Sequence, residues 1–320
     1  GPTPLRTGIE RSRNLMTIRL AQEVGMDVVA NYAEKFGVYD NMGRVLANAL
    51  GADETTLMRM ISAYAMFANG GERVEPTLVD RVQDRYGNTV YSHDAAQGNR
   101  RVCVDCADPN IPPGRSPRIV NDRERIMDAI TAYQLTSMME GVVQRGTASG
   151  TVKLPVPTAG KTGTTNDAKD VWFIGFTSNI VAGCYIGYDQ PRSLGSGASG
   201  GGFCGPVFTQ FMQKAVKKYG GGPFKVPETC NFVNIDRFSG ARLGAGASGA
   251  NVVAECFRED DLLDGVWGIQ LDGGFAISGS FDLIRPEGGS VAREVTTSTG
   301  RKAVVGPKAG FGTLSSGGLY

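Results

Sequence analysis

The chain has 320 residues, 41% of them hydrophobic and 20% charged, with 33 basic against 32 acidic side chains. It is long and apolar enough to bury a sizeable core, and a formal net charge of +1 supplies no field for collecting nucleic acid. No run of about eighteen apolar residues is present to cross a bilayer, and Gly1 starts no signal peptide, so membrane topology has to come from sequence outside this chain.

Residues 9 to 69 carry helical spacing, with "MDVVANYAEKFG" closing at Gly37 and "LMRMISAYAMFANGG" closing at Gly70. "RVQDRYGNTVYS" reads as a hairpin turning at Gly87-Asn88, and "RRVCVDCADPNIPPGRSPR" as a proline-rich loop. The spacing of Ile126, Ile130, Tyr133 and Met138 predicts one helix from Arg123 to Val143, followed by the turn "QRGTASG". Asp170 leads into "VWFIGFTSN" and "IVAGCYIGYD", two runs of β-branched and aromatic residues bounded by turn residues. After the glycine-rich loop "SLGSGASGGGFCG", the stretch "PVFTQFMQKAVKKYG" reads as a helix with Pro206 in its first turn. Helices followed by strands and a closing helix suit an α+β fold, an antiparallel sheet flanked by helices. Beyond Pro227, "FVNIDRFSGARL" and "NVVAECFRED" predict a short hairpin packed on the domain. From Asp261 onward the glycine- and serine-rich composition predicts a flexible tail.

The chemistry starts at Lys161, which lies between Gly160 and Thr162-Gly163-Thr164. Gly160-Lys161-Thr162 resembles the end of a phosphate-binding loop, but Pro155 stands where that loop needs its first glycine. The alternative is the lysine-threonine-glycine strand of serine acyl-transferases acting on D-alanyl peptides and β-lactams. There an edge strand lines a cleft, glycine admits the substrate backbone, and lysine supplies fixed charge. An isolated triplet is equally an ordinary hairpin with an exposed lysine. Ser12-Arg13-Asn14 supplies the serine-x-asparagine element that accompanies such a strand, although the same residues also suit a helix N-cap. His93, the only histidine, sits in a polar loop and leaves lysine as the base. Cys103 and Cys106 form one C-x-x-C without a second half-site, so a local disulfide or two surface thiols are expected rather than zinc. Cys184 and Cys204 fall where a strand and a helix start can meet, with the pairing left open.

The stretches "LRTGIERSRNLMTIRLA", "LMRMISAYAMFANGG", "DRVQDRYGNTVY", "AYQLTSMMEGVVQRGTA", "AGKTGTTNDAKDVWFIGFTSN" and "CYIGYDQPRSLG" together resemble the transpeptidase domain of class A penicillin-binding proteins. They occur in that family's order and cover most of residues 1 to 228, leaving 229 to 320 as a C-terminal extension. The chain departs from the pattern at the nucleophile. That family uses the serine of an S-x-x-K helix, and no serine here is followed three positions later by lysine; Ser149 and Lys153 are one residue too far apart. The expectation is a fragment of a longer protein with a glycosyltransferase domain and a membrane anchor upstream.

The resemblance implies a penicillin-binding-protein fold incomplete at its N-terminus and a D,D-transpeptidase of peptidoglycan stem peptides, anchored at the periplasmic face of the inner membrane. The partners it implies are stem peptides, β-lactams and cell-wall synthesis regulators, with no nucleic acid, no metal and no cofactor. By the same resemblance Ser12 relays protons, Asn14 holds the nucleophile's lysine partner and the substrate amide, and Lys161 keeps the cleft electropositive and orients Ser12. Thr162 and Thr164 bind the substrate carboxylate with their hydroxyls, Gly163 keeps the edge clear, and the Thr164 backbone N–H forms half of an oxyanion hole. A D,D-carboxypeptidase or β-lactamase would use the same motifs with water as acceptor, and a catalytically silent scaffold is the third alternative.

Overall fold

The computed structural model describes residues 3–93 and 123–258, together with short strands at 101–103, 119–121, 271–272, 275–276, 293–296 and 302–305. The first lobe is helical: α1 (Leu5–Glu10), α2 (Asn14–Val24), α3 (Met26–Lys35), a 3-10 turn at Leu46–Leu50, and α4 (Leu57–Ala68). Thr56 caps α4, its hydroxyl accepting from the Arg59 N–H. Gly37 and Gly70, at φ +72° and +69°, end α3 and α4 where the sequence placed the stops. The expected hairpin forms from β1 (Arg81–Gln83) and β2 (Thr89–Ser92), with the Asp84 carboxylate accepting the turn N–H groups of Tyr86 and Asn88.

Strands β3 (Arg101–Cys103) and β4 (Ile119–Asn121) pair antiparallel. Cys106 and the loop around it lie outside the described residues, and with them the expectation for the C-x-x-C pair.

The helix expected to begin at Arg123 begins instead at Ala129 and runs to Gln144 (α5). Asp128 is its N-cap, accepting the N–H groups of Ile130 and Thr131 at 3.1 Å. The residues before it bond elsewhere: Arg125 bridges Glu72, and the N–H groups of Ile126 and Met127 both reach the Gly71 carbonyl. Ile126 therefore belongs to the helical lobe, buried with Phe36, Ala63 and Met66. On α5 the buried apolar residues include Ile130, Met139 and Val142, so Met139 rather than Met138 faces the core.

Three antiparallel strands form the central sheet in the order β5 (Ala159–Thr164), β6 (Asp170–Phe176), β7 (Val181–Gly187), which leaves β5 on an edge. Alternation sends Val171 and Phe173 to one face, where they meet Val142, Val152, Phe208, Met212 and Val216. Phe208 and Met212 belong to α6 (Gly205–Tyr219), which follows a π-helical turn at Gly200–Cys204. Phe176 points to the other face, packing with Met139 of α5 and Tyr64 and Phe67 of α4. A disulfide between Cys184 and Cys204, with Cα atoms 5.4 Å apart, ties β7 to the turn that starts α6.

Strands β8 (Asn231–Asp236) and β9 (Val252–Phe257) form the predicted C-terminal hairpin, closed by a Cys230–Cys256 disulfide. The hairpin docks on α5, whose Gln134 amide donates to the Cys256 carbonyl at 2.8 Å. Farther on, four short strands, β10 (Leu271–Asp272), β11 (Phe275–Ala276), β12 (Arg293–Thr296) and β13 (Lys302–Val305), form a sheet of order β10-β11-β13-β12 that the composition did not indicate. The rest of the expected flexible tail lies outside the described residues.

Phe173 is 0% exposed and stacks edge-on against Phe208 at 4.8 Å. Its replacement by alanine removes contacts on both sides of the sheet-to-helix seam, and we expect Phe173→Ala to lower stability by about 3–5 kcal/mol in denaturant titrations.

Candidate active site

Helix α1 ends at Glu10 and α2 begins at Asn14, and the tight turn between them carries Ser12 at φ +51°. A non-glycine residue in the left-handed region is held there only by its surroundings. Here the α1 carbonyls hold it: Arg11 N–H donates to Thr7, Ser12 N–H to Ile9, and Arg13 N–H to Gly8. The Ser12 side chain does not cap α2, whose N-cap position is Arg13 without a side-chain bond. Its Oγ instead accepts a 2.7 Å hydrogen bond from Lys161 Nζ, joining residues 149 apart in the chain.

Lys161 lies on β5 and also donates to the Thr162 carbonyl at 3.0 Å. Both partners are neutral, and burial pushes the ammonium down from 10.5 to about 8. The shift makes Lys161 readier than an ordinary lysine to give up its proton, while most of the population keeps its charge at neutral pH.

Beyond Lys161 the strand is built as an open edge. Thr165 N–H donates to the Asp170 carbonyl, so by ladder alternation the Thr164 and Thr162 N–H groups face away from β6, out of the free edge. The Thr162 hydroxyl pairs with the Thr147 hydroxyl at 2.7 Å, and the Thr164 hydroxyl accepts the Gly200 N–H at 3.0 Å. Thr164 thus keeps its own O–H to donate. A Cβ on Gly200 would collide with the Trp172 and Gly163 carbonyls, so only glycine lets the π-helical turn rest on β5 and β6 here. Gly163 faces the Trp172 side chain, 3.2 Å from where its Cβ would stand.

Of the residues singled out from sequence, Ser12, Lys161, Thr162, Gly163 and Thr164 gather along one strand edge and the turn against it. Asn14 is the first residue of α2, exposed, and its side chain has no hydrogen-bond partner among the described residues. His93 is elsewhere, with its ring 3.2 Å from the Glu75 carbonyl. Among the described residues no group of acidic, cysteine and histidine side chains could hold a metal ion.

Sequence reasoning missed Thr147 and Gly200, which buttress β5 from the loop after α5 and from the glycine-rich loop. It also missed the charge cluster beneath Ser12. Arg6 is 2% exposed and forks onto the Glu255 carboxylate of β9, with the Nη2 arm at 2.6 Å. It also donates to the Ser137 carbonyl and hydroxyl of α5, both at 2.9 Å. Glu10, 3.6 Å from Arg6, receives Arg145 at 2.5 Å. Burial opposes the Arg6 charge, yet its partners Glu255 and Glu10 outweigh that effect and raise its pKa. The one sequence signal was a lone glutamate inside the apolar run "VVAECF".

A strand edge whose lysine holds a serine from a distant turn is an arrangement with known counterparts. Residues 1–213 match the family described as Penicillin binding protein transpeptidase domain. The chain belongs to this family. It is 40% identical over 265 residues to Penicillin-binding protein 1A of Rickettsia bellii, covering 82% of this chain and 32% of that protein. Against Penicillin-binding protein 1A of Pseudomonas aeruginosa the identity is 32% over 287 residues, covering 82% of this chain and 35% of the other. The crystal structure of Penicillin-Binding Protein 1A from Haemophilus influenzae superimposes with a TM-score of 0.63 at 28% identity, over 81% of this chain and 40% of that one. The chain spans about a third of the length of the curated relatives it matches. The fold is accordingly the α+β penicillin-binding transpeptidase fold expected from sequence, and the β8–β9 hairpin lies beyond the family match.

The depressed Lys161 pKa has a consequence for stability. A lysine charged more readily in the unfolded chain gives the unfolded state more bound protons between about 8 and 10.5, so its contribution to stability rises with pH across that window. We expect Lys161→Met to abolish that part of the rise while stabilising the fold at neutral pH, read from denaturant midpoints across the same pH range.

Proposed function

We propose that this chain supplies the proton-relay and substrate-edge half of a serine D,D-transpeptidase site that cross-links peptidoglycan stem peptides. The observation that carries the reading is the 2.7 Å bond from Lys161 to Ser12, on the free edge of a strand whose glycine leaves room for a peptide backbone.

In this reading the nucleophilic serine belongs to the longer protein, outside these 320 residues. Its oxygen attacks the carbonyl between two D-alanines, the C–N bond breaks, and the terminal D-alanine leaves as its amine. The proton the nucleophile gives up to its own lysine partner passes through Ser12 to that amine, because one hydroxyl can accept and donate at once. A second stem's amine then attacks the acyl carbon, the acyl–oxygen bond breaks, and the nucleophile recovers its hydroxyl. Lys161 steadies Ser12 and supplies the positive field, and Asn14, exposed at the start of α2, is the residue that would hold the nucleophile's lysine partner and the substrate amide. The Thr164 N–H, turned out of the sheet edge, serves the developing oxyanion, and the Thr162 and Thr164 hydroxyls meet the substrate carboxylate.

The same acyl chemistry makes β-lactams suicide substrates of the assembled site. Among the described residues no helix is long and apolar enough to cross a bilayer, and in this reading the membrane anchor is a segment of the longer protein. The two disulfides, Cys184–Cys204 and Cys230–Cys256, support folding in an oxidising compartment such as the periplasm.

The test is acylation by a fluorescent penicillin. The 320-residue chain alone stays unlabelled, and covalent label on any of its serines overturns the assignment of the nucleophile. In the longer protein, Lys161→Ala and Ser12→Ala each slow acylation by about 10²-fold or more, and the double variant loses less than the product of the two. Full acylation rates in both single variants would remove the relay.

A further inference from the structure

The Ser12 turn is made of α1 carbonyls, and α1 is held by one apolar contact, Ile9 against the core, and otherwise by polar and charged side chains. Its buried residues are Arg6, Thr7, Gly8 and Glu10, an unusual set for the packed side of a helix. Arg6 is fixed by Glu255 on β9 and by Ser137 on α5, and the Thr7 hydroxyl donates to the Arg237 carbonyl of the loop that follows β8. At the other end, the Glu10 carbonyl accepts the Thr147 N–H at 3.1 Å, and Thr147 in turn touches Thr162 on the strand edge. Glycine is required at 146, where a Cβ would strike the Glu10 carbonyl, so helix and turn sit in backbone contact. Both sides of the Ser12–Lys161 bond are therefore referenced to α1.

We propose that Glu255, on the C-terminal hairpin beyond the family match, is a positioning residue for the Ser12–Lys161 relay, acting through Arg6 and the carbonyls of α1. The proposal rests on the reading of Ser12 and Lys161 as a relay, but its geometry does not. A guanidinium 2% exposed needs its carboxylate partner, and with Glu255 neutral Arg6 keeps the neutral Ser137 acceptors and a single carboxylate, Glu10, which Arg145 already occupies. The helix then shifts to hydrate Arg6, and the left-handed Ser12 turn, which depends on the Thr7, Gly8 and Ile9 carbonyls, relaxes with it. In this arrangement the hairpin is a strut that sets the distance across the cleft.

The experiment reads the geometry in the 320-residue chain without acylation. Glu255→Gln keeps the shape of the side chain and removes its charge. The expected result is that the Lys161 titration midpoint, followed by side-chain NMR, climbs from about 8 toward 10.5, while hydrogen exchange at the Ser12 and Arg13 amides accelerates at least tenfold. Phe36→Leu, which loosens the helical-lobe core, leaves both readouts in place and separates positioning from general destabilisation. Glu255→Asp, which restores the charge on a shorter arm, recovers part of the shift. An unchanged Lys161 midpoint with native Ser12 exchange in Glu255→Gln overturns the proposal. Where Glu255→Gln does not fold, native-state exchange of the unaltered chain decides: the Arg13 and Glu255 amides open together as one unit, and independent opening refutes the coupling. If the coupling holds but Lys161→Ala leaves acylation of the longer protein untouched, the relay assignment fails while the strut stands.

Discussion

The 2.7 Å bond between Lys161 and Ser12 spans 149 residues of chain, and a hydroxyl relay of the kind proposed would work only at that hydrogen-bond distance. The elements that carry the two residues decide that distance. Lys161 is placed by a strand whose position comes from the β5–β6 ladder, and Ser12 by a turn whose backbone conformation an L-residue does not adopt unaided. The two supports differ in kind. The sheet rests on apolar burial around Phe173, Phe176 and Phe208, whereas α1 rests chiefly on the buried charges of Arg6, Glu10 and Glu255, joined by the half-buried Arg145.

That difference has a physical logic. Apolar packing is non-directional and tolerates small slides, so it suits a sheet whose register is already set by its ladder. A fork of guanidinium on carboxylate is directional and is destabilising if half made, so it fixes the angle and depth of a short helix that has little apolar surface of its own. The six residues of α1 are too few to be stable as an isolated helix, and the charge cluster supplies the tertiary anchoring it needs.

The openness of the β5 edge is likewise constructed. Gly200 brings a turn onto the inner side of β5, Thr147 braces Thr162, and Thr164 is used as an acceptor by Gly200, so the edge is rigid without being covered. An unpaired edge normally invites pairing with another chain. Here the outward N–H groups of Thr162 and Thr164 are what a peptide lying along the cleft would bond, the mode in which extended peptides add to sheet edges.

Periodicity and turn chemistry were enough to place most elements, because they act locally. The stops at Gly37 and Gly70, the 81–92 hairpin, the strands around Lys161, the helix opening near Pro206 and the β8–β9 hairpin were all legible. The two motifs, with their order, were enough to single out Ser12 and Lys161, which meet in the fold, whereas Asn14 stands exposed beside them without a partner among the described residues. Where the reading of 123–128 as helix failed, local spacing was overruled by the Asp128 cap and by bonds to Gly71, a residue more than fifty positions upstream. Only the tertiary structure decided that Ser12 faces Lys161 rather than capping α2, and that Cys184 pairs with Cys204 and Cys230 with Cys256. It alone joined Arg6 to Glu255 across 249 residues. The reason is the same in each case: a hydrogen bond, a disulfide or a buried ion pair depends on where two atoms meet in space. Local sequence records what each residue prefers and is silent on which distant residue the fold will bring to it.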